Sequence, residues 1–271
     1  MDWSRTKTIF IVVFSILNVF LMSLYVDRYN ESIGLQSTLE GSTSFEERLA
    51  ADSITVPRLT NMPTNVAYVS GTVHNFTPDE LEQLPNADVR SSTDGILEVE
   101  LVEPVSVEGD ITVESVVQEH AHEGQDYKIW STDSETNTAL LFQQVNDRSV
   151  YHNSRAFILV RWNEEGEVTG FTQTYLEDLE DYNEERSLIT YMSAIEVLYN
   201  RSLILPGAEV TEVSLGYSTL AQLGETQVFS PTWAVKVELA DGTMEEYFVN
   251  AIDSRILDIP IDAVESENTE E

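Results

Sequence analysis

The chain has 271 residues, 42% of them hydrophobic and none of them cysteine, enough for one large or two small packed cores. The missing thiols exclude a disulfide scaffold, a thiolate zinc site, a cysteine nucleophile and a lipid-modified cysteine. A net charge of −34, from 14 basic and 48 acidic side chains, repels phosphate backbones and excludes nucleic acid as a partner; it reads as a solvated surface suited to a salty or alkaline exterior.

Residues 1–8 form a short N-terminus that carries Arg5 and Lys7. Residues 9–26, IFIVVFSILNVFLMSLYV, contain no charge. As a helix they reach about 27 Å, close to the hydrocarbon thickness of about 30 Å. Trp3 and Tyr25 fall where interfacial aromatics belong. The apolar run is longer than that of a cleaved leader, and Leu24, Tyr25 and Val26 offer no small-x-small cleavage site. An uncleaved single-pass anchor is therefore expected. Arg5 and Lys7 precede it, whereas Arg28 is offset by Asp27, so the N-terminus is expected in the cytoplasm and residues 27–271 outside. Ser15, Asn18 and Met22 recur at helical spacing and share one face. Surrounding hydrophobicity can simply tolerate one amide. The sharper expectation is that this face binds a partner's transmembrane helix.

Residues 27–44, rich in Ser, Thr, Gly and Glu, read as a juxtamembrane linker. A first extracytoplasmic α+β subdomain is expected over 45–125 and a second over 126–260, before an acidic tail at 261–271. Residues 45–53 suit a short helix, and 65–75 include the β-favouring VAYVSGTV. Thr77, Pro78, Asp79 and Glu80 combine a hydroxyl cap, proline at the first helical position and acids at the positive dipole end. Residues 96–102 alternate as a strand, and 111–120 fit either helix or strand. Further strands are expected at 127–130, 139–145, 156–162 and 167–175, the last two closed by Asn163, Glu164, Glu165 and Gly166. Six acids crowd 177–185. A helix follows at 185–201, striped by Leu188, Tyr191, Met192, Ile195, Leu198 and Tyr199 and stopped by Pro206 and Gly207. Strands at 209–217, 229–239, 244–250 and 255–259 complete the pattern, with Asp241 and Gly242 as a hairpin turn. The class is α+β: antiparallel sheets with packed helices.

Chemistry-bearing motifs are sparse. His74, His120, His122 and His152 lack metal-ligand spacing, because no third ligand follows the His120-x-His122 pair at a typical interval, and they read as surface residues. No nucleophile elbow, zincin, phosphate loop or dinucleotide fingerprint occurs, and the acidic runs lack calcium-loop spacing. Trp130, Trp162 and Trp233 read as core. No catalytic, cofactor-binding or metal-ligating set is expected, and no enzymatic activity.

Several pieces taken together resemble one known family. They are the opening MDWSRTKTIFIVVFSILNVFL, the run Phe171, Thr172, Gln173, Thr174, Tyr175 and Leu176, the Leu215-Gly216-Tyr217 turn, and Pro231, Thr232 and Trp233 leading to Tyr247, Phe248, Val249, Asn250 and Ala251. The combination resembles the YycI (WalI) family of membrane-anchored regulators from bacteria of the Bacillus and Staphylococcus group. The last third is also similar to PepSY-like units. The resemblance implies a non-catalytic regulator without cofactor, which pairs with a YycH-like protein. It also implies contact with a WalK-type sensor histidine kinase, partly through transmembrane helices, and so control over cell-wall metabolism. The alternative is a PepSY-like extracytoplasmic module that restrains a cell-wall peptidase.

Overall fold

The computed structural model describes Lys7, Phe10, residues 13–15, 17, 18 and 20–22, residues 44–108 and residues 111–259. It divides into two units, Met1–Ile54 and Thr55–Glu271.

In the first unit the described residues between Lys7 and Met22 are helical, and Phe10, Val13, Phe14, Leu17, Phe20, Leu21 and Met22 are exposed. The remainder of the 9–26 stretch lies outside the described residues, as do the expected linker through residue 43 and the tail at 261–271. Among the described residues no helix is long and apolar enough to cross a membrane. Helix α1 (Phe45–Ala51) begins with a reciprocal cap. Ser44 Oγ accepts from the Glu47 amide at 3.2 Å, and the Glu47 carboxylate accepts from the Ser44 amide at 3.1 Å. The helix stops short of residue 53, where Ser53 turns to a positive φ of 56°.

Among its described residues the second unit holds two antiparallel sheets and three short α-helices. The first sheet runs β2 (Ala87–Thr93), β3 (Ile96–Ser106), β8 (Glu167–Thr174), β7 (Phe157–Trp162), β5 (Thr138–Val145), β4 (Tyr127–Asp133), with the two-residue β6 (Arg148–Ser149) beside β5. The second runs β13 (Ile256–Leu257), β12 (Met244–Asn250), β11 (Thr226–Glu238), β1 (Asn65–Val73), β9 (Leu176–Ser187), and β10 (Glu209–Leu223) pairs along the other edge of β11. Strands β3 and β8 pair across residue 126, and so do β1 and β9. Each sheet thus draws on both halves of the sequence.

The expected α+β character holds: antiparallel strands dominate and helices are few. Three local differences have clear causes. Strand β2 carries the polar, mostly exposed sequence ADVRSST and owes its conformation to the ladder with β3, through pairs such as Val89 with Val99. The ambiguous 111–120 stretch is helix α3 (Val113–His120), capped by Thr112, whose hydroxyl accepts from the Ser115 amide at 3.2 Å. The acidic run at 177–185 belongs to edge strand β9, which pairs with β1 as far as Asn65 opposite Ser187. Helix α4 (Tyr191–Asn200) therefore starts after its Thr190 cap rather than at Glu185, and it still buries Ala194, Ile195 and Leu198. A row of carboxylates on an open edge repels a further strand.

The first sheet buries both faces. Leu97, Val99, Leu141, Ile158, Val160, Val168 and Phe171 form an aliphatic core with Val116 and Val117 of α3. From the opposite face Phe142, Phe157 and Leu159 meet Tyr151 and, on the second sheet, Ala234 and Phe248. Trp233 is buried, while Trp130 and Trp162 pack partly buried against these clusters. The indole N–H of Trp233 donates to the Ile189 carbonyl at 3.0 Å, fixing the lead-in to α4.

Candidate functional site

The chain passes from one sheet to the other at Thr174, Tyr175 and Leu176, between β8 and β9. A crossing buries backbone groups that have left their ladder, and each needs a partner. Gln143 supplies two: its Nε2 donates to the Leu176 carbonyl at 2.8 Å and its Oε1 accepts from the Leu176 amide at 2.9 Å. The Tyr127 hydroxyl donates to the Thr174 carbonyl at 2.5 Å. Gln173 reaches the other way, accepting from the His122 amide at 3.1 Å and donating to the His122 carbonyl at 2.6 Å. The run from Phe171 to Leu176 is thus the joint between the sheets.

A histidine–carboxylate cluster is assembled beside this joint. His74 directly follows β1, and its amide donates to the Tyr175 carbonyl at 2.9 Å. Glu80 sits in the first turn of α2 (Pro78–Glu82), where its carboxylate accepts from the Thr77 amide at 2.7 Å and hydroxyl at 2.8 Å. His122 lies just beyond α3, on a loop held by Gln173 and followed by a 3-10 turn at Gly124–Asp126. A side chain at Gly124 would meet the Val117 carbonyl oxygen at 2.0 Å, so this loop can close only on glycine. Glu177 is the second residue of β9.

His74 is buried and bonded at both ring nitrogens: Nδ1 to Glu177 at 2.8 Å and Nε2 to Glu80 at 3.3 Å. The His122 ring stacks on it, with centroids 5.0 Å apart and planes within 8°. Phe76 and Tyr175 pack edge-on against both imidazoles. The Tyr175 hydroxyl donates to Asp126 at 2.9 Å. One ligand atom each from His74, Glu80 and His122 lies within 4.8 Å of the others. The Thr77 hydrogen bonds, opposed by burial, hold the Glu80 carboxyl below its ordinary range, with smaller help from the two imidazoles. Burial first, and then the neighbouring His74, lower the His122 imidazole.

The structure corrects the reading of the histidines as surface residues. His74, His120 and His152 are buried and His122 is half-buried. His120 donates from Nδ1 to the Pro85 carbonyl at 3.2 Å, and His152 Nε2 meets Glu246 at 3.1 Å. Spacing arguments missed the cluster because its members come from a strand end, a helix start and a post-helix loop far apart in sequence. The one local clue was the strong helix start at Thr77–Glu80, three residues beyond His74.

Ser15, Asn18 and Met22 are placed on the exposed N-terminal helix. The Asn18 side-chain amide donates to the Phe14 carbonyl at 2.9 Å, one turn back, so one of its two N–H groups is satisfied within its own helix.

The sequence matches the family described as YycI protein over residues 34–252. No match was found among curated proteins. The crystal structure of an uncharacterized protein from Eubacterium rectale ATCC 33656 is similar at 13% identity and a TM-score of 0.46, over 76% of this chain and 89% of that one.

Proposed function

The chain belongs to the YycI family, and from that premise we propose that it is a membrane-anchored regulator of a WalK-type sensor histidine kinase, working with a YycH-like partner. The family is regulatory and non-enzymatic, and the match over residues 34–252 is the observation that carries the reading. It does not favour the alternative of a module restraining a wall peptidase. In this reading residues 9–26 hold the protein in the cell membrane as a single pass, with the N-terminus cytoplasmic and the folded region outside. The uncharged sequence and the exposed Phe10, Phe14, Leu17, Phe20 and Leu21 support it, since large side chains left in water along one helix call for an apolar surrounding.

A kinase with two arrangements of its transmembrane bundle is biased by any helix that packs better against one of them. A tenfold shift needs only about 1.4 kcal/mol of differential packing. The face of Ser15, Asn18 and Met22 supplies part of it. An interhelical contact of the Asn18 amide, one of whose N–H groups is used within its own helix, contributes about 0.6 kcal/mol. Asn18→Leu is then expected to weaken co-purification with the kinase by about threefold. Exchanging the whole 9–26 stretch for an unrelated transmembrane helix is expected to abolish kinase modulation in cells while leaving the outer region folded. Undiminished modulation by the exchanged protein would overturn this mechanism.

A further inference from the structure

The cluster beside the sheet crossing has an unresolved electrostatic contact. If His74 is neutral, its one ring proton goes to Glu177, at 2.8 Å the closer and better bond. Nε2 then presents a lone pair to a Glu80 oxygen 3.3 Å away, and that oxygen is also an acceptor. Two acceptors face each other at the foot of a buried ring. A positive species between them removes the conflict.

We propose that His74, Glu80 and His122 bind a divalent transition-metal ion, with zinc the best fit, and that Glu177 orients His74 as a carboxylate outside the coordination sphere. Zinc takes imidazole nitrogen and carboxylate oxygen at about 2.0–2.2 Å, which sets neighbouring ligand atoms of a tetrahedron about 3.4 Å apart. The His74–Glu80 separation of 3.3 Å already matches that edge. The Glu177–His74 pair reproduces the carboxylate–histidine arrangement that fixes tautomer and raises ligand basicity at metal centres. Two imidazoles with one carboxylate favour zinc and its transition-metal neighbours over magnesium or calcium, which take oxygen sets. Glu123 and Asp126 add negative field around His122.

His122 must move. Parallel imidazoles cannot both aim an in-plane lone pair at one ion, so loading turns this half-buried ring out of its stack. The ligand atoms, all within 4.8 Å of one another, then draw in to the tetrahedral edge of about 3.4 Å. Gln173 holds the His122 backbone at both its amide and its carbonyl, so the change is a side-chain rotation. A bound ion would tie the end of β1, the start of α2 and the loop after α3 into one unit at the joint between the sheets. The site is independent of the anchor reading, because it requires neither a kinase nor a membrane. Loss of one leaves the other standing.

The test uses the full chain in detergent micelles, stripped by a chelator and titrated with zinc against a chromophoric competitor at neutral pH. One zinc per chain is expected, with His122→Gln and Glu80→Gln each weakening it by more than about 100-fold and Glu177→Gln by about 10- to 100-fold. Cobalt(II) added to the stripped wild-type chain is expected to show the visible d–d bands of a tetrahedral nitrogen–oxygen site, a readout that needs no variant to fold. No zinc retained against the competitor would overturn the proposal. So would zinc affinity unchanged in the variants, equal displacement by magnesium, or a cobalt spectrum of octahedral aquo–carboxylate type, each the mark of adsorption to an acidic surface.

Discussion

Strand β8 carries two kinds of interior two residues apart. Phe171 and Gln173 point to the same face and both are fully buried. Phe171 sits in an aliphatic core among Val99, Val160 and their neighbours. Gln173 spends every polar atom of its amide on the His122 backbone and on the Tyr127 hydroxyl. The first region is held by area removed from water, which is non-directional and tolerant of small displacement. The second is held by bonds whose worth lies mostly in the penalty for leaving them unmade. Packing sets where the strand lies, whereas the hydrogen bonds set where the chain leaves the sheet.

The sharpest way to break this contrast is to remove the apolar side. Phe171→Ala leaves a ring-sized void under α3 in a site that cannot fully collapse, and is expected to destabilise the protein by about 4 kcal/mol. Urea unfolding followed by tryptophan fluorescence measures it. A loss below about 1 kcal/mol would show that this core is loosely packed and that the distinction drawn here is false.

Next in size is Gln143→Leu. This change keeps the volume and adds apolar surface, so a packing account predicts little loss. The bonding account predicts about 3 kcal/mol, because the Leu176 amide and carbonyl both lose their partner in a buried place, at about 1–3 kcal/mol each. The two accounts differ severalfold in size, and the same unfolding measurement separates them.

This contrast also explains what could be read from the sequence. The aliphatic face announces itself by alternation in β3, where Leu97, Val99 and Leu101 stand out against Glu98 and Glu100. Asp241 and Gly242 mark their turn because Gly242 needs its positive φ of 86°. The polar joint has no such period. Gln143, Gln173 and Tyr127 are ordinary strand residues until tertiary structure brings Leu176, Thr174 and His122 against them. The crowded acids at Glu177–Glu185 carry no strand signal, because local charge says nothing of the ladder with β1 that makes them an edge strand. Nothing near His74 in sequence points to His122 or Glu177. Of the cluster only Glu80 falls in an element the sequence marks, as an acid at the positive end of the helix begun by Thr77.

The smallest expected effect is the most discriminating, since Tyr127 belongs to both regions. Its ring lies in the aliphatic core, while its hydroxyl donates to Thr174 and accepts from Gln173. Tyr127→Phe keeps the ring and deletes only the hydroxyl, at an expected cost of about 1 kcal/mol near neutral pH. Burial drives the Tyr127 phenol well above its ordinary value, so the folded state keeps it protonated. The sign of the pH dependence follows from that. Below about pH 10 both folded and unfolded phenols are neutral, and the hydroxyl contributes its full share. Above it the unfolded phenol ionises first, and the wild type loses about 1.4 kcal/mol per pH unit that the Phe variant, at this position, does not. The stability gap is therefore expected to narrow above pH 10 and to close by about pH 11. A gap that stays constant through that range would place the hydroxyl in contact with water, and the joint between the sheets would then be wet rather than sealed by its own side chains.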